Sequence, residues 1–172
     1  MNRVLAALRL AVLLLAGIAA AGAEETPGKH PAPLFPDLPT ADVRVATAFG
    51  THSFAVWIAA DDASRWRGLM HVRELPPDQG MLFLLDGPQQ AAFWMKDTYV
   101  PLDLIFIGAD GRVANVAHDA KPFSLALIRS RGPVVAVLEL VAGSARRIGL
   151  EAGDRVTWSG VTGGKRSDER AE

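Results

Sequence analysis

Two carboxylates in this 172-residue chain stand where carboxylates are costly. In Leu102-Asp103-Leu104-Ile105-Phe106-Ile107, alternation sets Leu102, Leu104 and Phe106 on one face of a strand and Asp103 with Ile105 and Ile107 on the other. Both faces are apolar, so the strand is expected to be covered on both sides, with Asp103 at its buried edge. Glu139 repeats the situation in the run Val134 to Leu140, sharing a face with Val135 and Val137. A buried carboxylate must be paired, hydrogen-bonded or protonated, because bare burial costs several kcal/mol. The cations nearest in sequence are Lys96, after Phe93-Trp94-Met95, and Arg67. One reading is a cleft in which Asp103 and Glu139 are an acid/base pair or ligand acceptors. Lys96 and Arg67 then hold an anionic or polar group, and Trp94 is an apolar wall. The other reading makes the same residues structural ion pairs or strand-end groups that bond backbone amides.

Other chemistries lack their residues. There is no cysteine, which removes disulfides, iron–sulfur clusters, thiolate zinc and thiol catalysis. His30, His52, His71 and His118 have no ligand spacing, so neither a metal nor a cofactor is expected. No serine sits in a nucleophile elbow and no phosphate-cradling glycine loop is present. Gly143-Ser144 ahead of Arg146-Arg147 reads as an ordinary surface helix start. Of Trp57, Trp66, Trp94 and Trp158, each is expected in the core rather than as a sugar platform, and Met70, Met81 and Met95 as gap-fillers.

The elements that must position these residues are mostly strands. Val43 to Phe49 and Ser53 to Ala59 flank Gly50-Thr51, a hairpin signal. Asp61-Asp62 offers an N-cap for a short helix through Arg65 to about Met70. Met81 to Leu85 and Ala91 to Met95 read as strands separated by a turn at Asp86-Gly87-Pro88. Leu102 to Ile107 and Arg112 to Ala117 flank Gly108-Ala109-Asp110-Gly111, a second hairpin. Val134 to Leu140 is a further strand, and His118-Asp119 before Lys121-Pro122 reads as a loop. A short helix follows Val134 to Leu140, capped by Ser144 and stopped by Gly149, and Arg155 to Trp158 is a final strand. Around eight short strands with turn chemistry between them predict an all-β single domain, barrel-like or sandwich, with one or two short helices.

The ends carry different signals. Arg3 and Arg9 precede the apolar run Leu10 to Ala21, and Ala21-Gly22-Ala23 supplies small residues before Glu24-Glu25. This predicts a signal peptide over 1–23 and a periplasmic or secreted domain. The run is short of the roughly 20 residues a span requires. If the helix extends back to Val4 with Arg9 snorkelling, the alternative is an uncleaved anchor in the inner membrane. Residues 24–40 hold prolines at 27, 31, 33, 36 and 39, a polyproline-like tether. The globular domain is expected over 41–159, with a disordered tail over 160–172. A net charge of −1 without any basic block sets nucleic acid aside as a partner. A membrane partner is expected only if the first helix stays uncleaved.

Several runs together carry a resemblance. Arg67-Gly68-Leu69-Met70, Asp78-Gln79-Gly80-Met81-Leu82-Phe83 and Phe93-Trp94-Met95-Lys96-Asp97-Thr98 appear in order. Val100-Pro101-Leu102-Asp103-Leu104-Ile105-Phe106, Val137-Leu138-Glu139-Leu140, Ala142-Gly143 and Gly149 to Gly153-Asp154 follow. Over about residues 43 to 158 these resemble the bacterial and archaeal domain-of-unknown-function family 192. The resemblance implies a compact β-rich fold, often behind a signal peptide, and no established activity. It also places Arg67, Trp94, Lys96, Asp103 and Glu139 inside the family's motifs. Three functions stay open at this point. The first is an extracytoplasmic binding or accessory domain for a small polar ligand, an envelope glycan or a protein. The second is a hydrolase or lyase using Asp103 and Glu139, and the third a structural or protein-interaction domain.

Overall fold

A computed structural model describes residues 34–162. The expected signal segment, the prolines at 27, 31 and 33, and the tail from 163 lie outside the described residues. The fold is β1 (Thr40–Thr47), β2 (Gly50–Ala59), α1 (Asp62–Arg67), β3 (Gln79–Phe93), β4 (Leu102–Ile107), β5 (Val113–Ala120), β6 (Ile128–Val141), α2 (Ser144–Arg147) and β7 (Arg155–Thr162). The strands form one seven-stranded sheet in the order β5-β4-β6-β3-β2-β1-β7. It is antiparallel except for β2 and β3, which run parallel across the α1 connection. The sheet curls into a half-barrel, and its two edges meet where Arg112 bridges Arg155. Among the described residues the expected all-β class with two short helices holds, as seven strands rather than eight.

Curling gives the sheet two apolar faces. The inner face gathers Val43, Val45, Phe54, Val56, Ile58, Leu82, Ile105, Ile107, Leu138, Leu140 and Val156. The outer face of the central strands carries Trp57, Met81, Phe83, Leu102, Leu104, Phe106 and Val137, covered by Leu69, Val72, Leu75, Met95 and Val100 from the connections. Phe35 and Leu38 pack on this outer core as well, and Phe35 meets Trp57 edge-on at 5.2 Å. Coverage on both sides explains why all six residues of β4 are buried.

Several local expectations shift. The first hairpin turns at Ala48-Phe49, since Thr47 pairs with Gly50 and both Gly50 and Thr51 belong to β2. Asp61 caps α1 as expected, in a capping box with Ser64. The helix stops at Arg67 rather than about Met70, because Gly68 takes φ +48°. Asp86-Gly87-Pro88 is no turn between two strands. β3 runs on through it, and the β3–β6 register shifts between Leu84 and Gln89 while Gly87 adopts φ +127°. Gly-Pro punctuation marks a bulge here, which bends the strand without ending it. At the same shift Val135 packs against the inner core, so it does not share the face of Val137 and Glu139. His118 and Asp119 lie in β5 rather than in a loop. Gly143, at φ +84°, takes the N-cap position of α2, and Ser144 is its first residue. β7 continues beyond Trp158 to Thr162, because β1 offers it a partner edge as far as Thr40.

The close approach of β3 and β6 depends on Gly80. A Cβ there would lie 2.3 Å from the Glu139 carbonyl oxygen and 2.7 Å from Leu140 Cδ2. Gly80→Ala is expected to push the two central strands apart and lower unfolding free energy by about 2–3 kcal/mol. A urea melt checks it, and a change within a few tenths would show that the strands have room to give.

Candidate functional site

The register between β4 and β6 separates the two carboxylates. Leu104 pairs with Glu139, and Asp103 pairs with Leu140. Directly opposed residues point the same way, so Glu139 belongs to the outer face with Leu104, and Asp103 to the inner face with Leu140. The expected pairing of the two in one cleft is therefore not what the sheet builds.

Asp103 is fully buried and fully employed. Its Oδ1 accepts from the Asp119 backbone N–H at 3.0 Å, and its Oδ2 accepts from the Ala145 N–H at 2.9 Å. α2 has no side-chain cap of its own; Asp103, 42 residues earlier in the chain, supplies one from across the fold. The other bond holds Asp119 at φ +52°, and Asp119 in turn pairs with Arg146. His118 Nδ1 lies 3.9 Å from Asp103 Oδ1. Asp103 thus ties β5 and α2 to β4, which is the structural one of the two readings drawn from sequence.

Glu139 is the opposite case. It rises from β6 between Met81 of β3 and Leu104 of β4, both fully buried. It is 4% exposed, and no hydrogen bond or neighbouring charge contributes to its shifted titration. Burial alone pushes its pKa from the ordinary 4.5 up to about 8. At pH 7 the group is held mainly as the neutral acid, and from the cavity lining it can donate a hydrogen bond inward.

What lies above it is open. A cavity of about 690 Å³ is lined by Glu139, by Trp66 and Arg67 of α1, by Phe83 and the bulged stretch of β3, and by Trp94. Its size is that of a small-molecule pocket. Arg65 holds its two walls together. Nη1 donates to the Ala60 and Leu84 carbonyls and to Asp86, and Nη2 donates to Asp62 and Asp86. The two carboxylates raise the Arg65 pKa above its ordinary value. Its Nη1 and Nη2 donors are spent on fixing α1 to the β3 bulge.

At the mouth Trp66 is 65% exposed and Trp94 42%. Lys96 Nζ sits 5.6 Å from the Trp66 ring and 5.7 Å from the Trp94 ring, within cation–π reach of both. The Arg67 guanidinium lies 4.7 Å over the Phe35 ring. The loop carrying Lys96 is pinned by Thr98 Oγ1 donating to the Lys96 carbonyl, and by the His71 N–H donating to Asp97. Of the five residues singled out from sequence, the structure brings Arg67, Trp94 and Glu139 onto one cavity, places Lys96 between the indoles at its mouth, and leaves Asp103 behind the sheet. Trp57 and the three methionines are core as expected, whereas Trp66 and Trp94 are not. Sequence reasoning missed Trp66 as a wall and Arg65 as a clamp. The Asp62-to-Arg65 spacing was the only local signal for the clamp, and a helix of six residues is too short to show which face Trp66 takes.

The chemistry available is recognition rather than two-carboxyl catalysis. Asp103, the expected partner of Glu139 in a glycosidase-like pair, is on the far side of the sheet, and the two other carboxylates on the cavity lining, Asp62 and Asp86, are both paired with Arg65. No match is found among curated proteins. The fold does match solved structures. A protein of unknown function from Novosphingobium aromaticivorans is 40% identical with a TM-score of 0.72, over 74% of this chain and 90% of that one. A Sinorhizobium meliloti protein provisionally named a transcription regulator is 43% identical with a TM-score of 0.69, over 71% of this chain and 95% of that one. The family model DUF192, described as uncharacterized ACR, COG1430, matches residues 44–158. The cavity and every residue that builds its floor lie within that span, and the chain belongs to the DUF192 family.

Proposed function

We propose that this chain is a binding domain for a small, acceptor-rich cyclic ligand, of the sugar or sugar-acid class, in an extracytoplasmic setting. The observation that carries the reading is the carboxyl of Glu139, held neutral by burial, on the floor of an open cavity with two exposed indoles at its mouth. A neutral carboxyl on a cavity lining can donate its proton in a hydrogen bond to an acceptor atom of a ligand held there. The indole faces of Trp66 and Trp94 suit a ring, and Lys96 between them suits a hydroxyl or a carboxylate. Arg67 adds a second cation on the lining.

The test is calorimetric and thermal-shift titration with glucose, N-acetylglucosamine and glucuronate at about pH 7. Glucuronate at about 100 times its Kd is expected to add about 2.7 kcal/mol of stability. Trp94→Ala is expected to weaken binding about tenfold through loss of the stacking face, and Glu139→Leu to abolish it. Wild-type affinity should fall as pH rises through about 8, where Glu139 loses the proton it donates; Glu139→Gln should remove that pH dependence. Failure of all three sugars to stabilise the chain, or unchanged binding in both W94A and E139L, would overturn the reading.

A further inference from the structure

The largest cluster of exposed apolar side chains surrounds the cavity mouth. Trp66, Trp94, Tyr99, Phe123, Leu125 and Leu127 are all between 38% and 66% exposed. They come from three connections that are stitched together. Trp66 and Trp94 share Lys96, Leu127 lines the same cavity, and Tyr99 meets Phe123 edge-on at 4.9 Å. The Met95 N–H donates to the Ser124 carbonyl at 2.9 Å, joining the two loops directly. Cations are interleaved with the rings: Arg73 lies 4.5 Å over Tyr99, and Lys121 is exposed beside Phe123. Within residues 66–74, 94–99 and 121–127, four basic residues (Arg67, Arg73, Lys96, Lys121) stand against two acids (Glu74, Asp97), while the two further carboxylates at the cavity, Asp62 and Asp86, are both paired with Arg65.

We infer that this rim docks on an anionic lipid bilayer, with the cavity mouth at the headgroup level. Three properties select that occupant. Tryptophan and tyrosine favour the membrane–water boundary, where one part of the ring is apolar and another wet. Leucine and phenylalanine at exposed loop tips supply the side chains that enter it, and the excess of basic residues is drawn to anionic headgroups. Six apolar side chains to four cations suit a headgroup boundary better than a nucleic-acid backbone. The place where the preceding chain joins the domain agrees. Phe35 packs beneath Arg67 on the same rim, so the 33 residues before Leu34, with the apolar run Leu10 to Ala21, attach at this side of the fold. The inference does not depend on what the cavity holds.

The test is vesicle flotation with a chain starting at Leu34, which omits the apolar run. Such a chain keeps both cores, which are built from residues between Phe35 and Trp158. The solved relatives, 90% and 95% spanned by the matching part of this chain, fold with little else. It is expected to float with vesicles of equimolar phosphatidylcholine and phosphatidylglycerol, to stay behind with phosphatidylcholine alone, and to be released by salt. Lys121→Glu should lower partitioning by about fivefold or more for each charge changed. The double variant F123S/L125S should lower it further. Neither variant touches the cavity lining, so glucuronate titration of the same proteins separates failure of this inference from failure of the ligand reading. Equal partitioning into both vesicle types, no partitioning, or variants that float like wild type would each overturn it. So would dimerisation that these variants abolish, which would assign the rim to a second copy.

Discussion

Between about pH 3 and about pH 9, replacing Glu139 by glutamine is expected to change the stability of the ligand-free chain, relative to wild type, by about 5 kcal/mol. The folded pKa of Glu139 is raised from 4.5 to about 8 by burial among Met81, Leu104 and the outer core. Below 4.5 both folded and unfolded chains hold the proton, and wild type carries no charge-burial penalty. Between the two values the unfolded chain has lost the proton while the folded chain keeps it, so each pH unit removes about 1.4 kcal/mol of stability. Above about 8 the loss is complete, because a buried carboxylate without a partner must then be tolerated. Glutamine has no such titration. Urea unfolding of the two proteins in parallel isolates the difference, since every other titrating group is common to both. A difference that stays flat with pH would mean that Glu139 is ionised at no cost, and would remove the protonated donor on which the ligand reading stands.

The second large effect belongs to the other carboxylate and has the opposite character. Asp103→Ala is expected to lower unfolding free energy by about 3–5 kcal/mol. It strips the acceptors from the part-buried N–H of Asp119 and the buried N–H of Ala145, and removes the cap of a helix that has no other. Since a domain of this size is stable by about 5–15 kcal/mol, the variant lies near the edge of folding. Asp103→Asn keeps one acceptor and should cost about 2 kcal/mol, so it gives a readout if the alanine variant does not fold. Amide exchange at Asp119 and Ala145 should accelerate in both variants ahead of the sheet. Sugar binding by D103N should be unchanged, because Asp103 is on the inner face. A loss of binding with normal stability would reinstate Asp103 as a site residue.

These two residues also mark what the sequence could reveal. That both carboxylates are buried was legible, because each interrupts a strand apolar on both faces. That they point away from each other was not. Parity inside one strand is local, whereas the relative facing of Asp103 and Glu139 depends on the Leu104–Glu139 register between strands more than thirty residues apart. The same limit hid the continuity of β3. Asp86-Gly87-Pro88 has turn composition, and only pairing on both sides of it with β6 reveals a bulge. The β4–β5 hairpin was legible because Gly108 to Gly111 sets it locally, with the Gly108 N–H donating to Arg112 and that of Gly111 to Gly108. The cavity was not legible, since its walls come from α1, the β3 bulge and the connection after β3, which meet only in the folded chain.

The strand order has a consequence for how the chain is made. β3 sits at the centre of the sheet, yet one of its two partners, β6, begins at Ile128 and is produced some thirty-five residues after β3 is finished. Until then, β1, β2 and β3 form a ribbon whose newest edge is the apolar stretch Met81-Leu82-Phe83-Leu84, with free backbone donors and acceptors. Such an edge is a template for pairing with another nascent chain. The interval before the sixth strand arrives is therefore one in which the growing chain presents an edge open to self-association.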